Sequence, residues 1–146
     1  MVEIYTDGSC FGNPGPGGYA AIVSCQTKNG TYQKTVSGGE ALTTNNRMEM
    51  TALLKALEII KKPCEITIYA DSQYLIDGYR RLPMWIAKGW RTSQSEVKNR
   101  DLWEAIKNII EQKGLAIQFS KVLGHSGVEK NELCDQLAKK EASKYA

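Results

Sequence analysis

Residues 45–71 read NNRMEMTALLKALEIIKKPCEITIYAD, and a change of period inside this stretch decides the fold. Apolar residues recur at Met48, Ala52, Leu53, Ala56, Leu57 and Ile60, the three-and-four spacing of a helix with one buried stripe. Thr43, Thr44 and Asn45 offer N-cap side chains, and Lys61-Lys62-Pro63 closes the helix. Glu65–Ala70 is a short β-branched run and predicts a strand. A strand–helix–strand crossover is right-handed and lays its second strand parallel to an earlier one.

The earlier strands lie upstream. Residues 2–7 alternate apolar and polar, and residues 19–26 and 31–37 are β-rich. Lys28-Asn29-Gly30 between the latter two carries the Asn-Gly hairpin signal. Residues 11–18, Phe-Gly-Asn-Pro-Gly-Pro-Gly-Gly, are dense in turn formers and predict a loop. Downstream, residues 72–88 predict short helices interrupted near Pro83, 100–112 an amphipathic helix, 115–121 a strand and 128–143 a last helix. The class is α/β with a mixed sheet. No repeat or long linker divides the chain, so residues 1–146 predict one domain.

Composition bounds the function. The 146 residues are 42% hydrophobic and 24% charged, enough apolar matter for a core. No apolar run approaches the ~20 residues of a membrane span. The N-terminus does not read as a secretory signal. Cys10, Cys25, Cys64 and Cys134 have no paired spacing, which predicts reduced thiols in a cytoplasmic protein. The net charge of +3 says little about partners. Its distribution says more: residues 79–100 hold Arg80, Arg81, Lys88, Arg91, Lys98 and Arg100 against Glu96, with Trp85 and Trp90 interleaved. Cations with aromatics suit phosphate tracking, whereas the plainer reading is a solvated helix pair with core tryptophans.

Four acids stand where solvation is not the easy explanation. Asp7 and Asp71 end two strands that the crossover makes parallel neighbours, at the edge where open α/β sheets bind ligands. Glu49 shares a helical face with Leu53 and Ala56. Asp135 borders the apolar stripe of the last helix. Anions sharing a half-buried site need a cation among them. All-oxygen ligation with a single histidine, His125, favours Mg²⁺ or Mn²⁺ over zinc. Two such ions about 4 Å apart suit phosphodiester cleavage. Read singly, each acid is equally well a cap or a strand-end turn residue.

The residue strings say more than the spacing. Thr6-Asp7-Gly8-Ser9-Cys10, Gly12-Asn13-Pro14-Gly15-Pro16-Gly17-Gly18, Thr44-Asn45-Asn46-Arg47-Met48-Glu49, Asp71-Ser72-Gln73-Tyr74, and Gly124-His125-Ser126-Gly127 with Asn131-Glu132-Leu133-Cys134-Asp135 resemble ribonuclease H type 1, most of all its bacterial members. They stand in the family's order across essentially the whole chain. The resemblance implies a ribonuclease H-like sheet ordered 3-2-1-4-5 with helices on both faces. It implies that Asp7, Glu49, Asp71 and Asp135 hold two Mg²⁺ ions, with Mn²⁺ as the alternative. It further implies endonucleolytic hydrolysis of the RNA strand of an RNA/DNA hybrid, leaving 5′-phosphate and 3′-hydroxyl ends. His125 matches a loop histidine that assists proton transfer or product release, and Glu132 stands one turn before Asp135.

Telling RNA from DNA requires groups that read the 2′-hydroxyl, which both donates and accepts hydrogen bonds. The amides of Asn13, Asn45, Asn46 and Gln73 match either role, and the family places minor-groove contacts at these positions. Thr44 and Asn99 match positions that seat a DNA phosphate. Cys10, Trp85 and Lys88 complete the substrate-binding set that the resemblance implies, the last two in its basic protrusion. A DNA-cutting resolvase or integrase-like nuclease would keep the acids but lack the Asn13, Asn45 and Gln73 set. A non-catalytic hybrid-binding module would have lost at least one acid. The expected partner is an RNA/DNA hybrid, with no membrane, no obligate protein partner, and a monomeric chain.

Overall fold

Alternation along the first strand sorts its side chains between two cores. In the computed structural model, which describes residues 2–121 and 128–146, β1 spans Val2–Cys10. It is followed by β2 (Gly15–Thr27), β3 (Gly30–Thr43), α1 (Asn45–Ile59), β4 (Glu65–Ala70), α2 (Gln73–Ala87), α3 (Arg100–Lys113), β5 (Ala116–Lys121) and α4 (Val128–Ser143). Val2 and Ile4 join Leu53 and Leu57 of α1 and Trp103 and Ile106 of α3 in the larger core. Tyr5 faces the other way and packs with Ala20, Ile22, Cys134 and Ala138 under α4. Each fully buried aliphatic side chain here stabilises the fold by about 1.5–3 kcal/mol.

The sheet order is β3-β2-β1-β4-β5, as the resemblance implies. The first three strands pair antiparallel, and β4 joins β1 and β5 in parallel. Among the described residues no helix is long and apolar enough to cross a membrane.

Three local expectations need correction. The stretch 11–18 is not all loop: β1 runs on to Cys10 and β2 begins at Gly15. Its glycines serve close packing as well as turning. A Cβ on Gly18 would lie 2.1 Å from the carbonyl oxygen of Ala138, so α4 rests directly on strand backbone. Residues 73–87 form one helix through Pro83, held by the burial of Leu82 and Trp85 on either side of it. Helix α1 stops at Ile59, short of Lys62. There Lys113 Nζ donates to the carbonyls of Leu57, Glu58 and Ile60 at 3.1, 2.9 and 2.6 Å, satisfying groups the helix end leaves open.

Candidate active site

Tyr5 and Tyr69 are register partners on β1 and β4, their rings stacked with centroids 4.8 Å apart. The parallel ladder ends at this pair. Asp7 and Asp71 each lie two residues beyond it, at equivalent positions on the carboxyl edge of the sheet. Asp7 is still within β1, paired with Ala20 of β2, rather than at the strand's end. Glu49 comes in from the second turn of α1 and is buried, with 6% of its surface exposed. Gly8 permits the approach: a Cβ there would meet the Glu49 backbone nitrogen at 2.6 Å. Asp135 arrives from α4 on the opposite face, half-exposed and one residue from buried Cys134.

Burial pushes the Asp7 carboxyl up to about 6, against the pull of Glu49 and of the Gly8 N–H, which donates at 2.9 Å; the charge of Asp135 adds to the rise. Glu49 is held well above the usual carboxylate range, first by burial, then by the charge of Asp7 and their shared hydrogen bond, with Asp71 contributing. Asp7 and Glu49 thus act as one buried pair that feels the charges of Asp135 and Asp71. Burial also pushes the Cys134 thiol up to about 12, so it stays protonated beside them.

The residues fit a hard divalent cation. Glu49 Oε2 is buried without a hydrogen-bond partner, an expensive state for a carboxyl oxygen unless something cationic meets it. The donors are all oxygen, as Mg²⁺ or Mn²⁺ prefers. Among the described residues no three ligands are already gathered at coordination distance. One cation the sequence reading did not pair with the site is present: Lys139 Nζ lies 3.0 Å from Asp135 Oδ2. Its position one turn further along α4 is the signal that would have found it.

Around the acids, Asn13 Oδ1 accepts from the backbone N–H of Asn45 at 3.0 Å and ties the loop after β1 to the start of α1. Thr44 caps that helix, its Oγ1 accepting from Arg47 N–H. Asn46 is exposed beside them. Gln73 opens α2, exposed, with Nε2 donating to Asp77 at 2.8 Å. The Cys10 thiol bridges the carbonyls of Gly15 and Thr43, joining the ends of three strands. Asn99 is linked to α1 by Arg47, whose guanidinium also grips Asp101. That long-range pairing left no trace in the local sequence pattern.

The basic stretch divides. Arg80, Arg81, Lys88, Arg91 and Lys98 are exposed, whereas Arg100 pairs with Glu96 and Glu104 and lies over the Trp90 ring. Trp85 is 9% exposed and packs on Trp103, as the plainer reading of core tryptophans has it. Trp90 is buried likewise. His125 lies outside the described residues, and Glu132 is exposed on α4.

A mixed sheet of this order, with acids on its carboxyl edge, defines the class of ribonuclease H-fold enzymes. The solved LC9-RNase H1, a type 1 RNase H with the type 2 active-site motif, superposes with a TM-score of 0.84 at 28% identity over 99% of this chain and 73% of its own. LC11-RNase H1, solved in complex with an RNA/DNA hybrid, gives 0.73 at 25% identity over 99% and 98%. The RNase H family profile matches residues 1–143, and the chain belongs to that family. Relatives include Ribonuclease H of Nitratidesulfovibrio vulgaris, 49% identical over 98% of this chain and 90% of its own length. Ribonuclease HI of Helicobacter pylori is 49% identical over 98% and 94%. The chain is accordingly a nuclease of the metal-dependent ribonuclease H type.

Proposed function

We propose that this nuclease cuts the RNA strand of RNA/DNA hybrids internally, using two Mg²⁺ ions held by Asp7, Glu49, Asp71 and Asp135, and leaves 5′-phosphate and 3′-hydroxyl ends. The observation that carries the reading is the buried, unpartnered Glu49 Oε2 set against the desolvated Asp7 carboxyl. When bound, the ions supply an activated water and neutralise charge on the phosphate and leaving oxygens. The protein's own part is to hold the four carboxyls at the sheet edge. Cations bound there would favour the ionised forms of Asp7 and Glu49, which burial otherwise disfavours. His125 takes up or delivers a proton as product leaves.

Selectivity rests on the rim. The amides of Asn13, Asn45, Asn46 and Gln73 read 2′-hydroxyls in the minor groove, where A-form-like helices display them. Thr44 and Asn99 seat a phosphate of the DNA strand, and Cys10 borders that contact. Lys88 and its basic neighbours track the backbone, so affinity falls steeply with salt and sequence preference is slight.

The test offers one sequence as end-labelled single-stranded RNA, RNA duplex, RNA/DNA hybrid and DNA duplex with Mg²⁺. Cutting confined to the RNA of the hybrid, lost with EDTA, is the expected result. Cutting of DNA would replace this reading with a resolvase-like one. Hybrid binding without cutting in either Mg²⁺ or Mn²⁺ would reduce the chain to a binding module.

A further inference from the structure

Asn99 sits in an unusual position. Its φ of 61° and ψ of 29° place a non-glycine residue in the left-handed region, which asparagine tolerates better than most. It precedes α3 as the N-cap, yet its side chain makes no capping bond to that helix. The amide is committed elsewhere: Oδ1 accepts from Arg47 Nη1 at 3.2 Å, and Nδ2 donates to the Tyr74 hydroxyl at 2.9 Å.

This fixes which end of the amide faces which way. A guanidinium has donors only, so the Asn99 atom against Arg47 has to be the oxygen. The NH₂ group is then turned away from Arg47, and Tyr74 takes one of its two hydrogens. The other remains to be donated. Arg47 itself is held flat: Nη1 and Nη2 donate to the two oxygens of Asp101 at 3.0 and 2.7 Å, a bidentate clamp that sets the plane of the fork.

The same residue acts on Thr44. The Arg47 backbone N–H donates to Thr44 Oγ1 at 3.2 Å. That bond takes one lone pair of the hydroxyl oxygen and leaves its O–H free to donate. Arg47 therefore touches both side chains assigned to the DNA phosphate, one through its backbone and one through its fork.

We infer that Arg47, clamped by Asp101, is a positioning residue for DNA-strand recognition: it fixes the Asn99 amide with its N–H toward the phosphate. The inference rests on the reading of Thr44 and Asn99 as a phosphate seat. Without the fork the amide is free to rotate by half a turn and present an oxygen to an anion. Exposure limits what the clamp adds to stability, although its bidentate form is the favourable case. The Asp101 side chain is 65% exposed, and pairs so placed contribute only about 0–1 kcal/mol.

The test uses the intact protein and a set of hybrids, each carrying one neutral methylphosphonate in the DNA strand. In the wild type, neutralising the seated phosphate is expected to raise KM by about tenfold, the worth of one charge-assisted hydrogen bond, while other positions cost less. Arg47→Lys keeps the charge but loses the fork. It should raise KM on the all-phosphate hybrid several-fold, change kcat much less, and abolish the extra cost at that one position. Asn99→Asp should be worse than Asn99→Ala, because it offers an anion where a donor is needed. A thermal melt of Arg47→Lys within a few degrees of wild type excludes misfolding as the cause, and Asp101→Asn, expected to copy its KM effect, is the second variant. If Asn99→Ala loses the position-specific cost while Arg47→Lys and Asp101→Asn retain it, the seat stands and the role of Arg47 is overturned. If the wild type shows no position-specific cost at all, the seat itself fails and the inference with it.

Discussion

Glu49 reaches the sheet edge only because Gly8 has no side chain. The missing Cβ would lie 2.6 Å from the Glu49 nitrogen and 2.8 Å from the Met48 carbonyl carbon, both backbone atoms that cannot swing aside. Gly8→Ala should push the start of α1 off β1, destabilise the fold by about 1–3 kcal/mol, and cut kcat far more than a stability loss of that size explains. A melt together with kcat on a hybrid checks both. Unchanged kcat would mean that the Glu49 approach has slack.

Asp7→Asn should abolish cleavage and leave hybrid binding largely intact. It should also make the metal-free protein more stable near pH 8. The Asp7 carboxyl is raised to about 6, so its folded form holds a proton that the unfolded chain has already released. Its contribution to stability is full below about pH 4 and lost as the pH rises through about 6. Melts of the metal-free wild type should therefore fall over that window, and those of Asp7→Asn should fall less. Adding Mg²⁺ at pH 8 should restore the wild type and not the variant.

Lys139 competes with any cation for Asp135 across 3.0 Å. Lys139→Ala should lower the Mg²⁺ concentration for half-maximal cleavage by roughly two- to fivefold, the scale of an exposed ion pair. A metal titration of activity reads this directly, and an unchanged midpoint would leave Lys139 a bystander.

Neutralising Arg80, Arg81 and Lys88 together should raise KM and flatten its dependence on salt, with kcat little changed. KM measured across a series of KCl concentrations decides it. A slope equal to the wild type's would return these residues to the role of a solvated face.

Lys113 caps α1 with three donated bonds from one ammonium. Lys113→Met keeps much of the aliphatic stem and removes the charge. It should cost about 1–3 kcal/mol, a drop of several degrees in Tm, with KM unaffected.

The crossover and the sheet order were legible because the period changes sharply at Pro63 and the strings stand in the family's order. The parallel strands and a helix face pointed to the neighbourhood of Asp7, Asp71 and Glu49, although Asp7 lies inside β1 rather than at its end. What stayed hidden was set by tertiary contact. The glycines of 15–18 look like turn formers in isolation, yet Gly18 is demanded by the Ala138 carbonyl of a helix more than a hundred residues away. Pro83 argues locally for a break, which the burial of Leu82 and Trp85 overrides. Trp85 reads as an aromatic among cations until Trp103 is seen beneath it. The tie from Arg47 to Asn99 spans 52 residues, and no local pattern announces it.

The stacked pair Tyr5 and Tyr69 marks the last rung shared by β1 and β4, and the acids begin just past it. They are drawn from positions 7, 49, 71 and 135, so no contiguous fragment carries the set. Closing that rung is a long-range event, slow to form in any refolding chain. Recovery of cleavage after dilution from denaturant should therefore lag behind helix formation. Cleavage would then report the completed sheet rather than its separate parts.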